Sequence, residues 1–502
     1  MHKNLFILLI LILSSLSVAA PGQTKSRVIV GASIIDGTGR RPFRANVRIE
    51  GDRITRVGLF TPKPGEEVIN ARGLVLAPGF IDIHNHSEQG LDSDTAATTQ
   101  IAQGITTLAV GPDGGSPWPV GDYLSAREQK RASVNVLAFV GHATVRYQVM
   151  GEDYNRRATD KEIQAMRELV ERGMREGAFG LSTGLEYDVG RASSTEEVIE
   201  LARTAARYGG IYMTHMRDEE EGVFTAIAEA IRIGREARLP VQISHIKMGN
   251  RNVWGKSREL IQIISRAKSS GIDITADCYP YTAWASTIAI LVPSRRHEDP
   301  SAVETGLRNV GGADKVLITN CKAHPDYEGK TLEEIARENN STPVLVYQQI
   351  IKDGGASVVC SSMSEADVEA FYRQPWVMVS SDGGIGSRHP RGAGTFPRVL
   401  GRFVREKRWL ALTEAVRKMT SMPANRLGLS DRGVVRAGMK ADLVLFDPKR
   451  VIDRSTFKEP QLLSEGVEQV FVNGESVWAA GRATDARPGV VIRKNVAAVG
   501  RN

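Results

Sequence analysis

The sequence predicts an α/β chain: a (β/α)8 barrel of the TIM-like kind, beside a small β-domain built from both chain ends. Two observations point to it. From Phe80 to about residue 430, apolar strand-like runs alternate with helix-like stretches, the rhythm of parallel βα units. Residues 27 to 77, and those after about Gly433, instead form short β-rich runs with no helical period. The runner-up is a doubly wound open sheet, but the Gly-rich dinucleotide fingerprint it often carries is absent.

The elements follow in order. Residues 1–20 read as a signal peptide: Lys3 supplies charge, Leu5 to Leu13 is an unbroken apolar run, and Ser17-Val18-Ala19 offers a cleavage site. That apolar run is shorter than the ~20 residues of a membrane span, so the expectation is a secreted or periplasmic chain with no stable span. Residues 21–77 form the N-terminal part of the small β-domain, with Gly51-Asp52 as a turn. The barrel occupies 78–430. Its clearest units are a helix capped by Thr159-Asp160, the strand after Phe179, a helix over Thr195 to Arg207, and the strand Ile211 to His215. A helix over Val223 to Ala237, a strand over Val241 to His245, a helix over Ser257 to Lys268 and a strand over Ile272 to Asp277 continue the pattern. A polar insertion at about 294–375 interrupts it, with helices over Leu332 to Glu338 and Glu365 to Tyr372, and is expected to cover one barrel mouth. Residues 431–502 return to strands around the Asn473-Gly474 turn and complete the small domain.

Composition narrows the function. The 502 residues carry 65 Lys and Arg against 58 Asp and Glu, a net charge of +7. With no basic run, this is no nucleic-acid footprint. Three cysteines, Cys278, Cys321 and Cys360, with no CxxC pair, are too few for a disulfide scaffold and read mostly as buried thiols, with one bridge possible.

Of nine His, four sit at predicted C-terminal strand ends, the face on which barrels of this kind build their active sites. His84-Asn85-His86 places two imidazoles on one side of a strand. His215 and His245 each end a strand, as do Asp113 and Asp382. Any one of these suits a structural hydrogen bond or a turn. Six together form a donor set for Zn2+ or a similar divalent ion.

These residues resemble a family. Ala77-Pro-Gly-Phe-Ile-Asp-Ile-His-Asn-His86 and Gly438-Met-Lys-Ala-Asp-Leu-Val-Leu-Phe-Asp447 are similar to the opening and the return strand of the amidohydrolase superfamily. Gly184-Leu-Glu-Tyr187, Thr214-His-Met-Arg-Asp-Glu219, Ser244-His-Ile-Lys247, Asp277-Cys-Tyr-Pro-Tyr281 and His389 to Gly401 look like its N-acyl-D-amino-acid deacylases (D-aminoacylases). The resemblance runs over about 27 to 493. It implies one metal position at His84, His86 and Asp382 and a second at His215 and His245. Asp113 stands where the family usually has a Cys, which leaves one or two divalent ions, zinc by expectation, both open. The superfamily's carbamylated Lys has no clear match.

The resemblance also implies an amide hydrolase in which a divalent ion activates water and Asp382 is general base and acid. The substrate carboxylate would be held by Arg391 and Lys247, with Tyr187, Tyr281 or Tyr279, and Ser286 as hydrogen-bonding candidates. The expected partner is a small molecule: an N-acyl-D-amino acid, or a dipeptide ending in a D-residue. A hydantoinase- or dihydropyrimidinase-like cyclic amidase is a second reading, and a catalytically silent binding protein of the same fold a third.

Overall fold

A computed structural model describes residues 26–495. The signal-peptide reading of residues 1–20 lies outside them. No described helix is long and apolar enough to cross a membrane.

Eight parallel strands form the barrel: β1 (Phe80–Asp82), β2 (Ile105–Val110), β3 (Asn135–Ala138, continued by Val140–Gly141), β4 (Gly180–Gly184), β5 (Ile211–His215), β6 (Val241–Ile243), β7 (Ile274–Cys278) and β8 (Val377–Val379). Neighbours pair in register, such as Gly184 with His215 and Cys278 with Val379. Nearly every strand side chain is buried, as a parallel sheet covered on both faces requires. The surrounding helices are amphipathic. Thr195–Arg207 turns Val198, Leu201, Ala202 and Ala205 inward, and the Ser194 hydroxyl caps it by accepting from the Glu197 amide. Thr159 and Glu162 form a reciprocal capping box on Asp160–Arg175.

The ring closes between β8 and β1, through segments just beyond the strands. The Asp382 amide donates to the His84 carbonyl at 3.0 Å, and the His86 amide to the Gly383 carbonyl at 2.7 Å. Asn85 and Gly383 form a parallel bridge. A Cβ at Gly383 would lie 2.6 Å from the Gly392 Cα, so this seam needs glycine. Beneath it, fully buried Asp82 accepts from the Ser381 amide at 2.9 Å, from the Ser381 hydroxyl, and from Asn85 Nδ2 at 2.9 Å.

The small domain has its own core around Ile29, Val47, Ile49, Leu76, Leu443 and Phe471. Val75–Pro78 pairs antiparallel with Leu443–Phe446, joining the two chain ends, and then bends at Gly79 into β1. Two boundaries differ from expectation. The insertion begins with the strand Trp284–Thr287, which pairs with Ser357–Cys360, while the helix Glu365–Tyr372 packs on β7 and β8 as a barrel helix. Ala486 to Lys494 leaves the small domain and runs along the barrel. Val491 bridges Val136, and the Gly489 amide donates to Ala132. Cys278, Cys321 and Cys360 are buried free thiols.

Candidate metal centre

Each donor is placed by the end of a barrel strand. His84 and His86 follow β1. Asp113 sits in the turn after β2, His215 ends β5, His245 follows β6, and Asp382 follows β8. Asp113, His245 and Asp382 all take positive φ, at 54°, 32° and 47°. A non-glycine residue in that region costs on the order of 1–3 kcal/mol and persists where its surroundings enforce it. Here the sharp turns swing the side chains inward over the barrel mouth. His245 thereby ends β6 at Ile243, two residues earlier than the apolar pattern suggested.

The donors converge on two overlapping groups that share Asp113: His84, His86, Asp113 and Asp382, and Asp113, His215 and His245. Asp113 Oδ2 lies 3.2 Å from His84 Nε2, 3.4 Å from His86 Nε2 and 3.5 Å from His245 Nε2. Asp382 Oδ1 lies 3.4 Å from His84 Nε2 and 3.3 Å from His86 Nε2. His215 Nδ1 and His245 Nε2 are 3.0 Å apart. The donor chemistry, imidazole nitrogen and carboxylate oxygen with no thiol, fits a divalent ion such as zinc, and the shared oxygen can bridge two. A set of three or four protein donors leaves room for a further ligand.

A second layer orients the imidazoles. His84 Nδ1 faces Asp277 Oδ1 at 3.5 Å, His215 Nε2 faces Glu186 Oε2 at 2.7 Å, and His245 Nδ1 faces Glu219 Oε1 at 2.9 Å. Such carboxylate–imidazole pairs fix ring orientation and tautomer. Sequence reasoning missed Asp277, Glu186 and Glu219. The signal available was their place in the same strand-end motifs as the ligands. Glu186, His215 and Glu219 also cluster closely, but the Lys247 ammonium bonds Glu219, so this group is closed by a protein cation.

The electrostatics match a cation site. Burial opposes charge on His86 and His245, yet the facing carboxylates outweigh it, and both imidazoles are pushed up to about 9. Burial likewise opposes charge on Asp113 and Asp382. His84 and His245 hold Asp113 well down, and Arg391 with the imidazoles does the same for Asp382.

The remaining expected residues separate. Arg391 Nη1 lies 2.6 Å from Asp382 Oδ2, and its guanidinium stands over the Tyr279 ring at 4.8 Å. The Tyr187 hydroxyl is 3.1 Å from His215 Nδ1. Lys247 is buried, paired with Glu219 and 2.7 Å from His245 Nδ1. Tyr279 offers its ring face, because its hydroxyl donates to Met363 Sδ at 3.6 Å. Tyr281 is not at the centre. Its hydroxyl donates to the Pro390 carbonyl at 3.3 Å and its ring packs on Arg398. Ser286 lines the cavities described below.

Comparison with known proteins decides the family. The amidohydrolase family model matches residues 67–478. The chain belongs to the amidohydrolase family. A D-aminoacylase of Alcaligenes xylosoxydans xylosoxydans is 36% identical, covering 94% of this chain and 98% of the relative. An N-acyl-D-aspartate deacylase of the same organism is 37% identical, covering 94% and 96%. The solved N-acyl-D-glutamate deacylase of Bordetella bronchiseptica, complexed with zinc and a phosphonate that mimics the tetrahedral intermediate, superposes with a TM-score of 0.86 at 34% identity, covering 94% of this chain and all of that one.

In this amidohydrolase the donors stand between two cavities. The outer one, about 740 Å3, is walled by His86, Glu88, Asp92, Ser116, Tyr123 and Tyr187. The inner one, about 30 Å3, runs under Trp284 toward Glu220. Asp382, Arg391, Tyr187 and Ser286 border both.

Proposed function

We propose that this amidohydrolase is a metal-dependent deacylase that releases D-amino acids from N-acyl-D-amino acids. The observation that carries this reading is the contact of Arg391 with Asp382 at the edge of the donor set. It places a carboxylate-binding guanidinium beside the one acidic donor that faces both cavities. When bound, the divalent ion (zinc, one or two per chain) supplies Lewis acidity to the amide carbonyl and draws the pKa of water toward ~7.

The chain's residues do the rest. His84, His86, Asp113, His215, His245 and Asp382 hold the ion. Arg391 takes the substrate carboxylate with two parallel N–H donors, which fixes the Cα and with it the chirality of the centre. The Tyr187 hydroxyl, beside His215, donates toward the carbonyl oxygen as negative charge develops there. Asp382 accepts a proton from the attacking water and returns it to the amide nitrogen, which leaves as an amine only once protonated.

A dipeptide ending in a D-residue presents the same carboxylate and amide. The outer cavity, at about 740 Å3, supports acyl groups well beyond acetyl. The rings of hydantoin and dihydropyrimidines carry no carboxylate for Arg391 to hold. A solved dihydropyrimidinase of Brevibacillus agri shares the fold at 15% identity and a TM-score of 0.60. Export of the chain belongs to the same proposal and rests on the charged and apolar opening of residues 1–20.

The test is hydrolysis of paired N-acetyl-D- and N-acetyl-L-amino acids by the zinc-loaded enzyme, with metal content measured on the same sample. Release of D-amino acids alone, lost in Asp382→Asn, is the expected result. Turnover of both enantiomers, or of neither with metal bound, overturns it. Fractionation of cells expressing the full chain tests export.

A further inference from the structure

The inner cavity has a chemical character the reaction does not require. Its wall includes four carboxylates, Glu186, Glu219, Glu220 and Asp382, and the ring systems of Tyr279 and Trp284. Of its two cations, Lys247 is paired with Glu219 and Arg391 with Asp382. Glu220 is the acid left over: burial and the neighbouring Glu186, Asp218 and Glu221 push it up to about 8, and a cation placed beside it would hold it ionised. It is 8% exposed, Asn250 donates to its Oε2 at 3.3 Å, and among the described residues its Oε1 accepts no hydrogen bond. The Trp284 indole nitrogen is turned away, donating to Ser362 Oγ at 2.8 Å and to the Gly249 carbonyl at 3.1 Å. Its ring therefore serves as an aromatic wall.

The amino-acid half of the substrate belongs in this cavity. Arg391, which binds its carboxylate, stacks on Tyr279, and Tyr279 lines only the inner cavity of the two. The acyl half is left with the outer, larger one. Buried carboxylates beside aromatic faces favour cations, through ion pairing and cation–π attraction, and repel anions.

We propose that the inner cavity selects substrates whose D-residue carries a cationic side chain, with Glu220 as the recognising carboxylate, and rejects acidic ones. This rests on the deacylase reading above. It sets the chain apart from two of its relatives, whose names give D-aspartate and D-glutamate as their substrates. The ammonium head takes the place between Glu220 and Trp284, and its aliphatic stem lies along Tyr279.

The experiment compares kcat/KM of the zinc-loaded enzyme on N-acetyl-D-lysine, N-acetyl-D-ornithine, N-acetyl-D-norleucine and N-acetyl-D-glutamate. Norleucine matches the lysine stem without the charge. The expected result is a preference of about tenfold or more for a cationic substrate over norleucine, and about a hundredfold over glutamate. Glu220→Gln should bring the lysine-to-norleucine ratio to about one, and Glu220→Lys should raise the glutamate-to-lysine ratio above one. Competitive inhibition of the unaltered enzyme by free D-lysine, tighter than by D-glutamate, checks the site without any variant. Equal or better turnover of norleucine or glutamate overturns the inference and leaves the deacylase reading standing. No turnover of any of the four overturns both.

Discussion

Arg391 Nη1 sits 2.6 Å from Asp382 Oδ2, so the group proposed to bind the substrate carboxylate touches the group proposed to move the proton. Both are buried, at 7% and 5% exposure. Losing the guanidinium removes an anchor and leaves a buried carboxylate without its partner. Arg391→Met should cost about 2–4 kcal/mol in kcat/KM, roughly thirty- to several-hundred-fold. Arg391→Lys should recover only part of this, because an ammonium cannot engage both carboxylates in a fork. Steady-state kinetics on one N-acetyl-D-amino acid decides the matter, and a loss below about threefold would separate Arg391 from substrate binding.

Asp113 joins the two donor groups through a single oxygen. Asp113→Ala should leave the purified chain with little zinc at either position. Asp113→Cys should retain about one tightly held zinc at His215 and His245, since a thiolate is a softer and stronger ligand for that ion. Elemental analysis after dialysis distinguishes the two. Full zinc occupancy in Asp113→Ala would show that the oxygen is not a ligand.

Removing metal should make stability depend on pH in a particular direction. Without the ion, His86 and His245 in the folded chain titrate at about 9, against an ordinary value of 6.5. A group raised on folding stabilises fully below its unfolded pKa and loses that contribution as pH rises through the folded value. The chelated protein should therefore melt at progressively lower temperature from about pH 6.5 to 9. Zinc uptake in that window should release protons, because the ligands bind as neutral imidazoles. Calorimetry with and without chelator tests the first point and proton release in weak buffer the second. A melting temperature that rises across the window would contradict the assignment.

The clamp under the seam should be expensive to break. Asp82→Ala leaves the Ser381 hydroxyl and the Asn85 amide without their buried acceptor. A loss of about 2–5 kcal/mol is expected by chemical denaturation. Zinc affinity should fall with it, since Ser381 adjoins Asp382. A loss under about 0.5 kcal/mol would mean that other partners replace Asp82.

Much of the barrel was legible because its helices and strands carry their own periodicity. Thr195–Arg207, Ile211–His215 and Val223–Ala237 fall where capping and apolar spacing put them. The strand pattern overran at β6, because the backbone reversal at His245 leaves no mark in hydrophobicity. The insertion was misjudged at both ends. Trp284–Thr287 pairs with a strand some seventy residues on, a non-local contact that periodicity does not encode. The six donors could be found because strand ends concentrate chemistry in this architecture. Their carboxylate partners were harder to read. Glu219 and Glu220 lie in an Asp-Glu-Glu-Glu run that resembles a solvated loop, yet both are buried. Lys247 is expected at the substrate carboxylate, and only the fold shows that Glu219 engages it.

The seam between β1 and β8 has a consequence for the order in which a working molecule comes into being. His84 and His86 leave the ribosome about three hundred residues before Asp382, and the hydrogen bonds that close the ring run between these same two segments. A chain halted before Asp382 carries five of the six donors, an open ring and no proton shuttle. Arg391, the proposed holder of the substrate carboxylate, is later still. Catalytic competence therefore arrives late in translation, in the span from Asp382 to Arg391, and a truncated product that lacks this span is inert toward amides wherever it is released.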